Sequence, residues 1–165
     1  MKIEIEEMTE AHWPHVEEIF RQGIETGIAS VEKDAPPWAE WNARHLESCR
    51  LVAVMCNQVV GWAALSPVRE GEFYRGLAET SVYVRKGLRN AGIGTALLRA
   101  LAWEAEEAGI WTLVAFIFAE NEASRALHAR CGFREAATFE RIGKLDGRWR
   151  DVVMYERRSD RVAVD

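Results

Sequence analysis

The chain has 165 residues, enough for a sizeable core, and 48% of them are apolar, which excludes a disordered chain. Its net charge is -5 and the acidic residues are spread along it, so it lacks the basic stripe of a nucleic-acid-binding surface. Three cysteines, Cys49, Cys56 and Cys131, give no disulfide framework, the first residues lack the apolar stretch of a secretory leader, and the longest apolar run, residues 59–65, is too short to span a bilayer, so a cytoplasmic protein with no membrane partner is expected.

Residues 2–6 alternate polar and apolar side chains, which predicts a half-buried strand. Thr9 is placed to cap a helix carrying Trp13, Val16, Ile19 and Phe20 on one face, with Pro14 in its first turn and Gly23 and Gly27 expected to break it. A short helix fits residues 38–47. Strands are predicted over 51–55 and 59–65 around a tight turn at Asn57 and Gln58, then a charged loop over 67–76 and a strand over 77–84. Residues 92–108 form a strong helical pattern, with Ile93, Leu97, Leu101 and Ala105 on one face and Gly109 placed to end it. The run 111–118, apolar except for Thr112, suits a central strand. A short helix over 121–130 is closed by Gly132. Strands over 133–140 and 150–156, with a hairpin turn at Asp146 and Gly147, complete the pattern, and the polar tail 159–165 is expected to fray. This order predicts a single mixed α/β (α+β) domain over residues 1–158.

The chemistry concentrates in residues 79–95. A strand crosses a basic loop and enters a helix through Arg89, Asn90, Ala91, Gly92, Ile93, Gly94 and Thr95. Backbone N–H groups at a helix start are unpaired and carry partial positive charge, and glycines let an anion approach them closely. Leu97 stands where a dinucleotide fingerprint has its third glycine, and no lysine separates Gly94 from Thr95 as a P-loop requires. Upstream, Glu79 shares a strand face with Ser81 and Tyr83 and is a candidate base.

Val82-Tyr83-Val84, then Arg89-x-x-Gly92-x-Gly94, a helix, an apolar strand, Asn121-x-x-Ser124 and Cys131-Gly132-Phe133 together resemble the GNAT acetyltransferase superfamily. The runs 61–67, 78–84 and 141–152 are closest to its phosphinothricin/methionine-sulfoximine N-acetyltransferase branch, and the likeness spans residues 3–158. The resemblance implies a strongly twisted mixed sheet of about seven strands whose middle strands splay apart, with helices on both faces. It implies acetyl-CoA as co-substrate. The backbone of Val82, Tyr83 and Val84 would pair with the pantetheine arm, Arg89 to Thr95 would hold the pyrophosphate, and Asn121 and Ser124 would meet the pantetheine amides. The acceptor would be the primary amine of a small amino-acid-like compound attacking directly, with an oxyanion contact from the backbone near Val82.

Glu79 is then the expected base or ammonium-orienting group, and His128, where many members of the superfamily carry a tyrosine, the candidate leaving-group acid. Arg69 and Arg75 match positions expected to hold the acceptor's acid group, since a guanidinium binds two oxygens at once. Leu77 and Val31 depart from the residues usual in the branch and would line the acceptor pocket. Trp38, Trp41, Trp62 and Trp111 are expected in the core or that pocket, and the branch implies a homodimer with Trp149 as a possible contact. Two other readings stay open: a protein N-terminal acetyltransferase, and an acyl-CoA-binding regulatory module without turnover. His12/His15 and His45/Cys49 have helical ligand spacing without further ligands, so no metal is expected. A thiol before Gly-Phe is more often packing than a nucleophile, so Cys131 is not expected to be catalytic.

Overall fold

The alternating and apolar runs assemble into one seven-stranded sheet in a computed structural model that describes all 165 residues. The elements are β1 (Glu4–Glu7), a 3-10 turn (Glu10–His12), α1 (Trp13–Glu25), α2 (Trp38–Arg44), β2 (Arg50–Met55), β3 (Gln58–Pro67), a second 3-10 turn (Glu72–Tyr74), β4 (Leu77–Val84), α3 (Ile93–Glu107), β5 (Thr112–Phe118), α4 (Glu122–Arg130), β6 (Arg134–Leu145) and β7 (Arg148–Arg158). The strand order is β1-β2-β3-β4-β5-β7-β6. Every pairing is antiparallel except β4 with β5.

Side chains of one strand alternate between the two faces, and each face has its own core. On one, Ala63, Leu65, Leu113 and Ala115 meet Leu97, Leu98 and Leu101 of α3. On the other, Val52, Trp62 and Ala64 meet Trp13, Val16, Ile19 and Phe20 from α1 and its start, with Trp41 of α2. Leu97, Leu98 and Leu101 are wholly buried; burial of each stabilises the fold by roughly 1.5–3 kcal/mol.

The β4–β5 pairing is short. It joins Leu77, Ala78 and Glu79 to Thr112, Leu113 and Val114, and then stops, although both strands continue. Beyond this point β4 is paired only with β3, and β5 only with β7. The expected splay therefore begins at Thr80.

Several boundaries differ from the sequence expectation. α1 runs through Gly23 to Glu25, because the glycine serves packing: a Cβ there would stand 2.6 Å from the Tyr83 ring. Thr9 caps the 3-10 turn that precedes α1, its own N–H donating to His12 Nδ1 at 3.0 Å. The β2–β3 turn lies one residue earlier than predicted, with Cys56 and Asn57 at positive φ. β6 and β7 extend well past the predicted strands, joined by the predicted turn at Asp146 and Gly147. Two register shifts in that hairpin, one near Arg141 at φ 45°, break the two-residue alternation by which a strand is read.

The tail does not fray. The Ser159 amide donates to the Trp111 carbonyl at 2.7 Å, and Arg158 binds the carbonyls of Ser159, Val162 and Ala163. Arg161 lies over the Trp103 ring at 4.1 Å and pairs with Glu106 at 2.8 Å, whose carboxylate also meets Arg157 at 2.9 Å. A buried carboxylate is tolerated only when paired, so removal of residues 160–165 is expected to destabilise the fold by about 1–2 kcal/mol. Urea denaturation of the truncated chain, read as a lower midpoint with unchanged slope, checks this.

Candidate active site

Where β4 and β5 part, backbone groups on their facing edges lose their sheet partners. The Arg85 amide is spent on the Val60 carbonyl at 2.8 Å. By the alternation of an antiparallel ladder, the N–H groups of Val84 and Val82 point the other way, into the splay. Buried unpaired amides are costly, so this edge is built to receive a chain with its own donors and acceptors.

The splay opens into a cavity of about 810 Å³ running from the α1–α2 loop to the start of α3. At the α3 end, the amides of Arg89, Asn90, Ala91, Gly92, Ile93, Gly94 and Thr95 have no partner in the protein. Gly92 stands before the helix in the left-handed conformation (φ 82°, ψ 3°), which turns successive N–H groups toward one centre. No acidic residue occupies the first turn. This concave run of donors at a helix N-terminus suits a pyrophosphate. Of the residues expected there, all but Ala91, which is exposed on the outer side of the turn, line the cavity. Arg85 adds less charge than expected: its guanidinium binds the Val59 carbonyl and Glu18. Arg130 and Leu88, which carried no sequence signal, line this end too.

The middle of the cavity holds Glu79, Val82, Asn121, Ser124 and His128. Burial raises the pKa of the Glu79 carboxyl above its ordinary value. Asn121 caps α4, its Oδ1 accepting from the Ser124 amide at 3.2 Å, which leaves its NH₂ as the donor available to a ligand. His128 is 3% exposed. Its Nδ1 lies 2.8 Å from the Ser124 carbonyl, which can only accept, so Nδ1 carries the proton. Its Nε2 then accepts from Thr80 Oγ1 at 3.2 Å. Burial lowers the His128 pKa, keeping the ring neutral. This differs from the expectation of a proton donor: the one ring proton is committed to Ser124, and the ring bridges α4 to the point where the splay begins.

At the other end, Phe20, Trp41 and Trp62 wall the cavity with Val31 of the α1–α2 loop. Arg44 and His45 also line it. Arg44 is engaged by Glu32 and Glu40, and His45 stacks on Trp41 at 4.0 Å, its pKa lowered by burial. Trp38 packs against the aromatic core outside the cavity, and Trp111 and Leu77 stand away from it as well.

The two arginines expected to bind the acceptor's acid group do not reach this space. Arg69 and Arg75 are exposed and absent from the lining. Arg69 lies over the Tyr74 ring at 4.9 Å; Arg75 lies over Trp111 at 5.1 Å and pairs with Glu72 at 2.9 Å. Aromatic faces capture both guanidinium groups, Tyr74 on the same loop for Arg69 and Trp111 beside β5 for Arg75. Cys131 is also elsewhere, with burial raising its thiol pKa, so the structure assembles no Cys–His pair. No cluster of three or more His, Cys, Asp or Glu residues is placed to hold a metal ion, and no helix is long and apolar enough to cross a membrane.

Comparison with known proteins agrees with this geometry. Residues 7–133 match the family model described as Acetyltransferase (GNAT) family. The chain is 33% identical over 136 residues to an L-methionine sulfoximine/L-methionine sulfone acetyltransferase of Pseudomonas aeruginosa, covering 82% of this chain and 78% of the relative. Among solved structures, a phosphinothricin acetyltransferase from Sinorhizobium meliloti in complex with acetyl-CoA superposes with a TM-score of 0.84 at 27% identity, covering 100% of this chain and 97% of that one. A ribosomal-protein-alanine N-acetyltransferase from Brucella melitensis superposes equally well, with a TM-score of 0.84 at 34% identity over 94% of this chain and 99% of the other. The chain belongs to the GNAT acetyltransferase family. It is an acetyl-CoA-dependent N-acetyltransferase.

The amide run at the α3 start makes a test with two opposed readouts. Thr95→Asp places a carboxylate in the first turn of α3, beside the unpaired N–H groups. It should stabilise the free protein by about 0.3–1 kcal/mol while weakening acetyl-CoA binding about ten-fold. Thermal melts and isothermal titration calorimetry measure the two effects.

Proposed function

We propose that the protein transfers the acetyl group of acetyl-CoA to the primary amine of a small amino-acid-like acceptor, in the class of methionine sulfoximine, methionine sulfone and phosphinothricin. The observation that carries this reading is the continuity of one cavity: the unpaired amides of Arg89 to Thr95 lie at one end, Glu79 in the middle and aromatic walls at the other. The residues fit acetyl-CoA, which supplies an activated acyl group and a thiolate leaving group. The start of α3 holds its pyrophosphate, the open edge of Val82 and Val84 pairs with its pantetheine, and the Asn121 amide group donates to it. The Pseudomonas and Sinorhizobium relatives named above support this class of acceptor.

Only a free amine attacks the thioester carbon. Glu79 takes the ammonium proton, directly or through water, and its raised pKa makes it a stronger base than an ordinary carboxylate. The N–C bond then forms as negative charge develops on the carbonyl oxygen, and the splayed edge at Val82 offers an N–H to that charge. Collapse breaks the C–S bond, the nitrogen gives up its second proton to solvent, and the thiolate leaves and takes up a proton from solvent. His128 takes no part in that transfer; it holds α4 and Thr80 together so that Ser124 and Glu79 face the same space.

A second reading, transfer to a protein N-terminus, rests on the likeness to the Brucella enzyme. The enclosing aromatic walls favour a small acceptor over it. We further place the protein in the cytoplasm, in keeping with its three free thiols, and infer a homodimer in which exposed Ile142 and Trp149 of the β6–β7 hairpin provide apolar contact area.

Thiol release from acetyl-CoA across methionine sulfoximine, methionine sulfone, phosphinothricin and short peptides tests the acceptor class. Turnover confined to peptides would establish the second reading, and acetyl-CoA binding without any turnover would establish a binding module. Glu79→Gln should lower kcat about a hundred-fold at neutral pH, and the acidic limb of the wild-type rate profile should lie above the ordinary carboxylate range. The same substitution should raise Tm at neutral pH. Ionising Glu79 costs more in the folded than in the unfolded chain, so the penalty grows as pH rises from the unfolded pKa through the folded one. Below the unfolded pKa both states are protonated, and the gain in Tm should vanish.

A further inference from the structure

The segment between α1 and α2 has no regular structure, yet it stands over the acceptor end of the cavity. Two of its carbonyls are held by side chains from opposite arms of the splay. Tyr83 of β4 donates its hydroxyl to the Ala29 carbonyl at 3.1 Å. Arg150 of β7 donates from Nη2 to the Gly27 carbonyl at 2.9 Å.

Both donors are themselves fixed. The Tyr83 ring stacks on Trp62 at 4.9 Å and meets Phe20 at 5.0 Å. It crosses α1 over the bare Cα of Gly23, where a Cβ would come within 2.6 Å of the ring. Burial pushes the phenol pKa up to about 12, so the hydroxyl remains a donor throughout the working range. Arg150 is 5% exposed, lies over the Phe118 ring at 4.3 Å and has its charge met by Glu120. Just beyond the Ala29 anchor, the loop presents Ser30 and Val31 to the cavity; Val31 is 71% exposed and so has no packing of its own to hold it.

We propose that Tyr83 and Arg150 are positioning residues that fix the α1–α2 loop across the splay, so that the separation of β4 and β7 sets how far Ser30 and Val31 reach into the acceptor space and which acceptors are admitted. This assignment rests on the acetyltransfer reading of the cavity. It gives Tyr83, whose backbone faces β3 rather than the splay, a task on the acceptor side, and it explains why α1 carries a glycine in its interior.

The test compares wild type, Tyr83→Phe and Gly23→Ala, the second displacing the phenol without removing it. KM is measured separately for acetyl-CoA and for the best acceptor among methionine sulfoximine, methionine sulfone and phosphinothricin. Amide hydrogen exchange is followed in residues 27–32. Tyr83→Phe should raise the acceptor KM about ten-fold, the loss of one hydrogen bond, with acetyl-CoA KM changed less than about two-fold because the strand backbone is intact. Exchange in residues 27–32 should speed up while that of α3 stays unchanged, and Gly23→Ala should shift both readouts in the same direction. An unchanged acceptor KM, or an equal rise in both KM values, overturns the proposal. If wild type turns over no acceptor in the panel, the functional reading fails instead, and exchange alone decides the loop: unchanged rates in Tyr83→Phe then refute its anchoring.

Discussion

The organisation of this protein depends on three residue pairs, Leu77–Thr112, Ala78–Leu113 and Glu79–Val114, being the whole of the β4–β5 ladder. Backbone donors and acceptors cannot be left unsatisfied in a protein interior. A sheet that stops pairing halfway must therefore fill the gap with water, side chains or ligand. At the point of divergence this chain uses side chains: Thr80 bonds to His128, and His128 to the Ser124 carbonyl. Farther out it uses none, and the open edges of Val82 and Val84 face the cavity. The same divergence aims the start of α3 and the start of α4 at one space, since each helix follows one of the two parted strands.

The two faces of the sheet divide the labour. The core under α3 is largely aliphatic, and it packs the helix that begins with the amide run against the strands. The aromatic core on the other face is less complete. Trp41 and Trp62 are almost wholly buried, yet their Nε1–H groups have no partner. A buried indole N–H without an acceptor is a cost, and both rings also wall the acceptor end. In the function proposed above, the face under α3 serves the co-substrate and the less satisfied face serves the acceptor.

Much of this was legible in the chain. Gly92 and Gly94 at a strand-to-helix turn gave the anion site, because such backbone geometry is local and glycine marks it. The apolar run over 111–118 gave the central strand, because burial on both faces leaves a composition signal. What failed was anything set by packing between distant segments. Arg69 and Arg75 match acceptor-binding positions by family resemblance, whereas the rings of Tyr74 and Trp111 hold them outside the cavity. His128 was read as an acid because the sequence does not say where a ring proton points. Gly23 was read as a helix breaker, since the need for a bare Cα beneath Tyr83 arises only in three dimensions. The tail was read as loose because the partners of Arg161 lie over fifty positions earlier, at Trp103 and Glu106.

That tail also changes how the cavity should be understood. Ser159 binds the Trp111 carbonyl, and the Gly76 carbonyl receives the amides of both Trp111 and Thr112. These bonds sit at the closed end of the diverging strands, opposite the open end of the cleft. In mechanical terms the sheet is a pair of arms riveted at the vertex, and the last residues of the chain are part of the rivet. Angular play at a vertex is multiplied along the arms. The width of the cleft at the start of α3 is therefore governed in part by residues that do not line the cavity.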